Sequence, residues 1–140
     1  MSENGQTPIP LLKKEQRLYV CKGSPWKEAV KTYYSVRRLG KVWYVPSTYR
    51  AGDLMLTILE TDPPVAFCLD VATVDGGRGK DIRVDDSKTV LFDHGLSVER
   101  IKKKLGFTPQ SRGFYEGEKA RKILQALRDE RAEQKPWFAV

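Results

Sequence analysis

Two apolar runs lie back to back in the middle of the chain. Asp53–Glu60 (DLMLTILE) and Val65–Val74 (VAFCLDVATV) are separated only by Thr61-Asp62-Pro63-Pro64. The aspartate and prolines make that join a turn. Short apolar runs bounded by turn residues read as strands. This pair places a β-sheet at the centre of whatever the chain becomes.

The remaining elements are ordered around it. Arg17–Cys21 reads as a first short strand. Ser24 is placed to cap a helix and Pro25 suits its first position. Trp26, Ala29, Val30 and Tyr33 recur at helical spacing, predicting a helix from about 25 to 37. Lys41–Val45 reads as a strand, residues 46–52 as a turn, and DGGRGKD (75–81) as a flexible loop. Ile82–Val84 and Thr89–Phe92 are further short strands, and Asp93-His94-Gly95 reads as a break. Ser97 caps a short helix with Val98, Ile101 and Leu105 on one face. Residues 106–115 are a loop. A last helix at about 116–132 carries Ala120, Ile123, Leu124 and Leu127 as its stripe. Strand, helix, strands with tight turns, then helices predicts an α+β fold. Its sheet is expected to be a small, curled, mostly antiparallel β-barrel flanked by helices.

A length of 140 residues fits one domain with a real core. Residues 1–16 read as a flexible lead, 17–132 as the domain, and 133–140 as a tail or the start of a linker. The chain is 40% hydrophobic and 31% charged, ordinary for a globular protein. No stretch approaches the roughly 20 apolar residues of a membrane span. The polar start, MSENGQTPIP, has no secretory apolar core, so a cytoplasmic protein without a membrane partner is expected. Cys21 and Cys68 sit in apolar runs and read as buried free thiols.

The net charge of +7 is unevenly placed. Residues 1–52 carry ten Lys/Arg against three Asp/Glu, residues 53–96 four against nine, and residues 97–140 eleven against six. Two basic flanks around an acidic middle make either solvated helix faces or one cationic face that attracts nucleic acid.

Catalytic signals are sparse. His94 is the lone histidine, in a turn, without the His or Cys partners that a zinc site needs. Asp81, Asp85 and Asp86 are close in sequence and chemically suited to magnesium, but their turn-rich setting reads as a solvated hairpin. GGRGK (76–80) lacks phosphate-loop spacing. Catalytic residues, metal and cofactor are therefore all expected to be absent.

Binding signals are stronger. The chain has three Trp, six Tyr and five Phe, several beside cations or hydroxyls. Trp43 and Tyr44 are strand neighbours and must face opposite sides. Aromatic faces with hydrogen-bonding neighbours suit a stacked nucleobase.

Three stretches resemble EVE domains of the PUA-like superfamily. CKGSPW (21–26) is similar to their Lys-x-x-Pro opening between first strand and helix. YRAGDLMLTILETDPPVAFCLDVATV (49–74) is similar to their Gly-Asp strand pair. LSVERIKKKLGFTPQSRGFYEGEKARKILQAL (96–127) is similar to their last third. The pattern looks most like the reader domains joined to HNH nucleases in modification-dependent restriction systems. The resemblance implies a small barrel that accepts a flipped, modified base, with modified cytosine in DNA favoured and 5-methyl and 5-hydroxymethyl groups as the candidates. It also implies a covalently fused nuclease domain. Trp26, Trp43 or Tyr44, and Tyr49 are the candidate walls; Ser24, Ser47, Thr48 and Asp70 the candidates for the base edge. Lys22, Arg50, Lys102, Lys103, Lys104, Gln110 and Arg112 are the candidates for the phosphate backbone. An RNA-binding PUA-like module is the alternative, and a small metal-dependent nuclease built on the aspartates and His94 a third.

Overall fold

The computed structural model describes residues 7–33, 43–78 and 80–134, and only the backbone at Trp43. The chain is α+β. Its strands are β1 (Leu18–Gly23), β2 (Trp43–Tyr44), β3 (Leu54–Leu59), β4 (Val65–Val71) and β5 (Val90–Ser97). Its helices are α1 (Trp26–Tyr33), α2 (Val98–Leu105) and α3 (Gly117–Glu133).

The sheet order is β2-β1-β3-β4-β5. β3 and β4 form the antiparallel pair expected from their apolar runs. β1 lies parallel to β3 along its whole length, from Leu18 opposite Leu54 to Gly23 opposite Leu59. Parallel neighbours need a crossover, and the segment carrying α1 supplies it. The sheet is therefore mixed, with three antiparallel pairings and one parallel.

Among the described residues it is not closed into a barrel. β2 and β5 are its edges. β2 covers only the Lys22–Gly23 end of β1. The other end of β1 is sealed by Tyr115, which exchanges backbone hydrogen bonds of 2.8 and 2.9 Å with Leu18. β5 never reaches that edge.

Every residue of β3 is buried, because both faces of the sheet are covered. One face carries Leu54, Leu56, Leu69, Phe92 and Leu96 beneath Ile101 of α2 and Ile123, Leu124 and Leu127 of α3. The other carries Tyr19, Cys21, Met55, Leu59 and Cys68, packed with Ala29 of α1, Tyr49 and Ile82. A buried Leu or Ile contributes about 1.5–3 kcal/mol, whereas an exposed ion pair contributes about 0–1 kcal/mol. The apolar stripe therefore holds α3 in place, more than its ion pairs with α2 do.

Several local expectations hold. Ser97 Oγ accepts the Arg100 N–H at 3.2 Å and caps α2, and Gly106, at φ +84°, ends it. Others are corrected. α1 begins at Trp26, with the Pro25 carbonyl accepting the first helical bond from Ala29 at 3.0 Å. The expected continuation over 34–37 lies outside the described residues, as do residues 41 and 42 of the next strand. Ile82–Val84 adds only a single bridge, Val84 to Ala72. Asp93-His94-Gly95 does not break the chain; β5 runs through it as a bulge between the pairs Cys68–Leu91 and Ala66–Leu96. His94 (φ +62°) and Gly95 (φ +71°) absorb the extra length. A Cβ on Gly95 would sit 2.8 Å from the Val65 side chain, so only glycine fits there.

The lead is not loose where it is described. Ile9 is buried, Leu12 packs beside it, and the Pro10 and Thr7 carbonyls accept from Arg128 (2.7 Å) and Arg131 (2.8 Å) of α3. The alternation of Ile and Leu with prolines gave no periodic signal, so the docking was hidden in the sequence.

Candidate functional site

The segment from Ser47 to Asp53 is a structured turn tied to its surroundings. Gly52, at φ +96°, donates to the Ala72 carbonyl at 2.7 Å, and Gly76 donates to the Tyr49 carbonyl at 2.8 Å. The Asp75 carboxylate accepts the Ala51 N–H at 2.9 Å. Asp53 is buried, and its two oxygens accept the backbone N–H groups of Arg17 (3.1 Å) and Arg50 (2.9 Å). The Gly-Asp pair thus has a local physical role: glycine makes the turn and aspartate fastens it to the start of β1.

This turn delivers Thr48 and Tyr49 to Tyr19. The Tyr19 and Thr48 hydroxyls are hydrogen-bonded. The rings of Tyr19 and Tyr49 meet edge to face, 6.1 Å between centroids. Phe114 also lies against Tyr19, 5.8 Å between ring centroids, with the Arg17 guanidinium 4.1 Å over its ring. Burial, and after it the neighbouring Cys21, pushes the Tyr49 phenol above its ordinary pKa.

The strand pairing extends this group across the sheet. Tyr19, Met55 and Asp70 stand opposite one another on β1, β3 and β4. Cys21, Thr57 and Cys68 form the next row. Asp70 and Thr57 are both fully buried polar residues. Asp70 accepts from the Thr89 hydroxyl at 2.6 Å and from the Cys68 thiol at 3.4 Å. A carboxylate taken out of water requires such donors.

The expected site residues fall into separate groups. Thr48 and Tyr49 join the Tyr19 cluster, with Ser47 beside them in the turn. Tyr49 is a buried packing residue. Asp70 lies on the same sheet face. Ser24 and Trp26 are exposed beyond the opposite end of β1, whose last residue, Gly23, is about 13 Å from Tyr19 at ordinary strand rise. Trp26 has Lys27 5.7 Å over its ring. Tyr44 pairs with Lys22 and is 55% exposed, while Trp43 is described only as the backbone partner of Gly23.

The cations also divide. Lys22 is paired with Glu60 at 3.2 Å. Lys102, Lys103 and Lys104 belong to α2, packed on the opposite face of the sheet from Tyr19 and Asp70. Lys104 is already held by Glu133 at 2.8 Å. Arg50 and Arg112 are exposed. The Gln110 side chain is exposed too, while its backbone N–H donates to the Tyr115 hydroxyl at 2.9 Å.

The aspartate cluster behaves as a turn cap. Asp85 accepts from both the N–H and the hydroxyl of Ser87 (3.0 and 2.6 Å), which holds its carboxyl below the ordinary range. Among the described residues no group of three or more His, Cys, Asp and Glu side chains is placed to hold a metal ion. Nor is any described helix long and apolar enough to cross a membrane.

Sequence reasoning missed Tyr19, Thr57, Thr89, Arg17 and the outward turn of Phe114. Tyr19 and Thr57 were hidden in apolar strands, where alternation alone does not say which polar group meets which. Phe114 was visible as an aromatic beside Arg112, but its partner Arg17 is distant in sequence. No protein-family profile, curated protein or solved structure matches the chain.

Proposed function

We propose that this chain is a nucleic-acid-binding module that accepts an extruded base at the rim of the Tyr19 cluster, beside Ser47, Thr48 and Phe114. The supporting observation is the exposed edge of an aromatic cluster: the Ser47–Thr48 turn and the Phe114 ring reach solvent around the edge-to-face Tyr19–Tyr49 pair. Serine and threonine hydroxyls can donate to or accept from a base edge. Extracting a base costs a few kcal/mol, and stacking of about 1–3 kcal/mol plus the edge bonds offsets it. In this reading the open sheet is the described part of a PUA-like barrel. The preferred ligand is DNA carrying a modified cytosine, and the module acts beside a nuclease rather than as one.

The test uses matched duplexes with plain, methylated and hydroxymethylated cytosine, and a structured RNA, at physiological salt. One modified duplex is expected to bind at least about tenfold tighter than the plain one, a difference near 1.4 kcal/mol. Ser47→Ala combined with Thr48→Ala is expected to erase the preference while the chain stays folded. Equal affinity for the three duplexes would sink the modified-base reading, and tighter binding of the RNA would replace it with an RNA module.

A further inference from the structure

We infer that Arg17 and Arg50 form a phosphate clamp set by Asp53, in which Phe114 serves as the platform for Arg17. The inference rests on the nucleic-acid reading above and adds the residues that hold the strand flanking the extruded base.

One buried carboxylate fixes both arginines. Asp53 is 5% exposed and accepts the backbone N–H of each. Two segments 33 positions apart are thereby brought to one point, and both side chains leave from it. The bonds use the main chain, so they do not consume the guanidinium donors.

The guanidinium of Arg17 is oriented as well as placed. It stacks at 4.1 Å on Phe114, a ring that is 38% exposed. Stacking occupies the flat face of a guanidinium and leaves its N–H edge available. That edge is the part that grips a phosphate with two parallel hydrogen bonds. Phe114 also touches Tyr19, so the clamp borders the proposed base site.

The arginines of this protein are sorted by partner. Arg100 is held by Glu130 and Glu133, Arg121 by Glu118, and Arg128 and Arg131 by carbonyls of the lead. Among the described residues Arg17 and Arg50, like Arg78, Arg83 and Arg112, have no carboxylate in ion-pair distance of their guanidinium groups. Asp53 and Asp75 have backbone N–H groups on their oxygens, and Glu15, two residues before Arg17, is exposed without an ion pair to either arginine. The guanidinium groups of Arg17 and Arg50 therefore keep donors free, which complements a chain of phosphates.

The test is a titration of the full chain with the preferred duplex between about 50 and 200 mM salt. Arg17→Gln and Arg50→Gln are each expected to make the log affinity–log salt slope shallower by about one unit, and the pair by about two. Both variants keep the backbone N–H that Asp53 binds, and Arg50 is exposed, so one informative variant remains if Arg17→Gln folds poorly. Phe114→Leu is expected to keep the slope and weaken binding about two- to fivefold, the loss of one cation–π contact. Unchanged slopes in both glutamine variants, with the wild-type duplex preference intact, would overturn the clamp and leave the module standing. A wild-type chain that binds no nucleic acid overturns both. Inorganic phosphate that binds wild type but not Arg17→Gln, with no slope change on duplex, would make this a small-anion site and also overturn the clamp.

Discussion

The hydroxyls of Tyr19 and Thr48 lie 2.8 Å apart, joining the first strand to a turn 29 residues further on. The Tyr19 ring is completely buried, so its oxygen has few other partners to turn to. Thr48→Val is expected to lower stability by about 1–2 kcal/mol, because a buried hydroxyl loses its bond. Adding Tyr19→Phe removes the orphaned group and is expected to recover part of that loss. Urea unfolding of the single and double variants decides it; simple additivity would mean that the bond contributes nothing.

Gly76 holds the same turn by its smallness. A Cβ there would lie 2.5 Å from the Tyr49 ring and 2.6 Å from the Ser47 carbonyl oxygen. One of those contacts is backbone and cannot swing away. Gly76→Ala is expected to cost about 1–3 kcal/mol and to change the near-ultraviolet circular dichroism of the tyrosines. A variant with native stability and an unchanged spectrum would show that the turn is loosely held.

Cys21 and Cys68 flank Thr57 from the two neighbouring strands. Two strand spacings separate their Cα atoms by about 10 Å, beyond the roughly 7 Å limit for a disulfide. Both thiols are buried and neither is in a disulfide. An alkylating reagent should therefore label neither in the native protein and both after denaturation, with no dependence on prior reduction. A disulfide-linked peptide in a digest of the native chain would contradict the strand order.

The ion pairs between α2 and α3 set an acid limit. Hydrogen bonding from Lys104, and then from Arg100, holds the Glu133 carboxyl below its ordinary value of 4.5. A carboxyl with a lowered folded pKa stabilises the fold above its unfolded pKa, and that contribution is lost as pH falls through the folded value. Tyr49 works at the opposite end: its raised phenol favours the fold below the ordinary value of 10.0 and ceases to do so as pH climbs past the folded value. Stability measured across pH should fall at both ends. Glu133→Gln should flatten only the acid side, with a smaller effect in high salt.

Local signals were legible in the sequence and distant ones were not. The β3–β4 pair followed from two apolar runs and a proline turn. The α2 cap followed from Ser97, and the α3 stripe from Ile123, Leu124 and Leu127. The parallel pairing of β1 with β3 was invisible, because the apolar pattern of Leu18–Gly23 would suit either direction. Continuation of β5 through Asp93-His94-Gly95 was also hidden: positive φ angles at turn residues end one strand and bulge another with equal ease. Of the candidate residues chosen by type, Thr48, Tyr49 and Asp70 lie together with Tyr19 on one face of the sheet. Tyr19, Thr89 and Arg17 needed the fold, since their partners lie 29, 19 and 97 positions away. Lys104 had the right charge for phosphate, but only the structure shows Glu133 beside it.

The parallel pairing of β1 also orders events during synthesis. β1 leaves the ribosome early, yet β3 follows only with residues 54–59, and Tyr115 closes its remaining edge later still. Until then Leu18–Gly23 is an apolar strand with open edges, the state most prone to pairing wrongly with another chain. By contrast β3, β4 and β5 need only near neighbours. The nascent chain should thus complete its later strands before its first one is secured, and its solubility during expression should depend on how quickly residue 115 arrives.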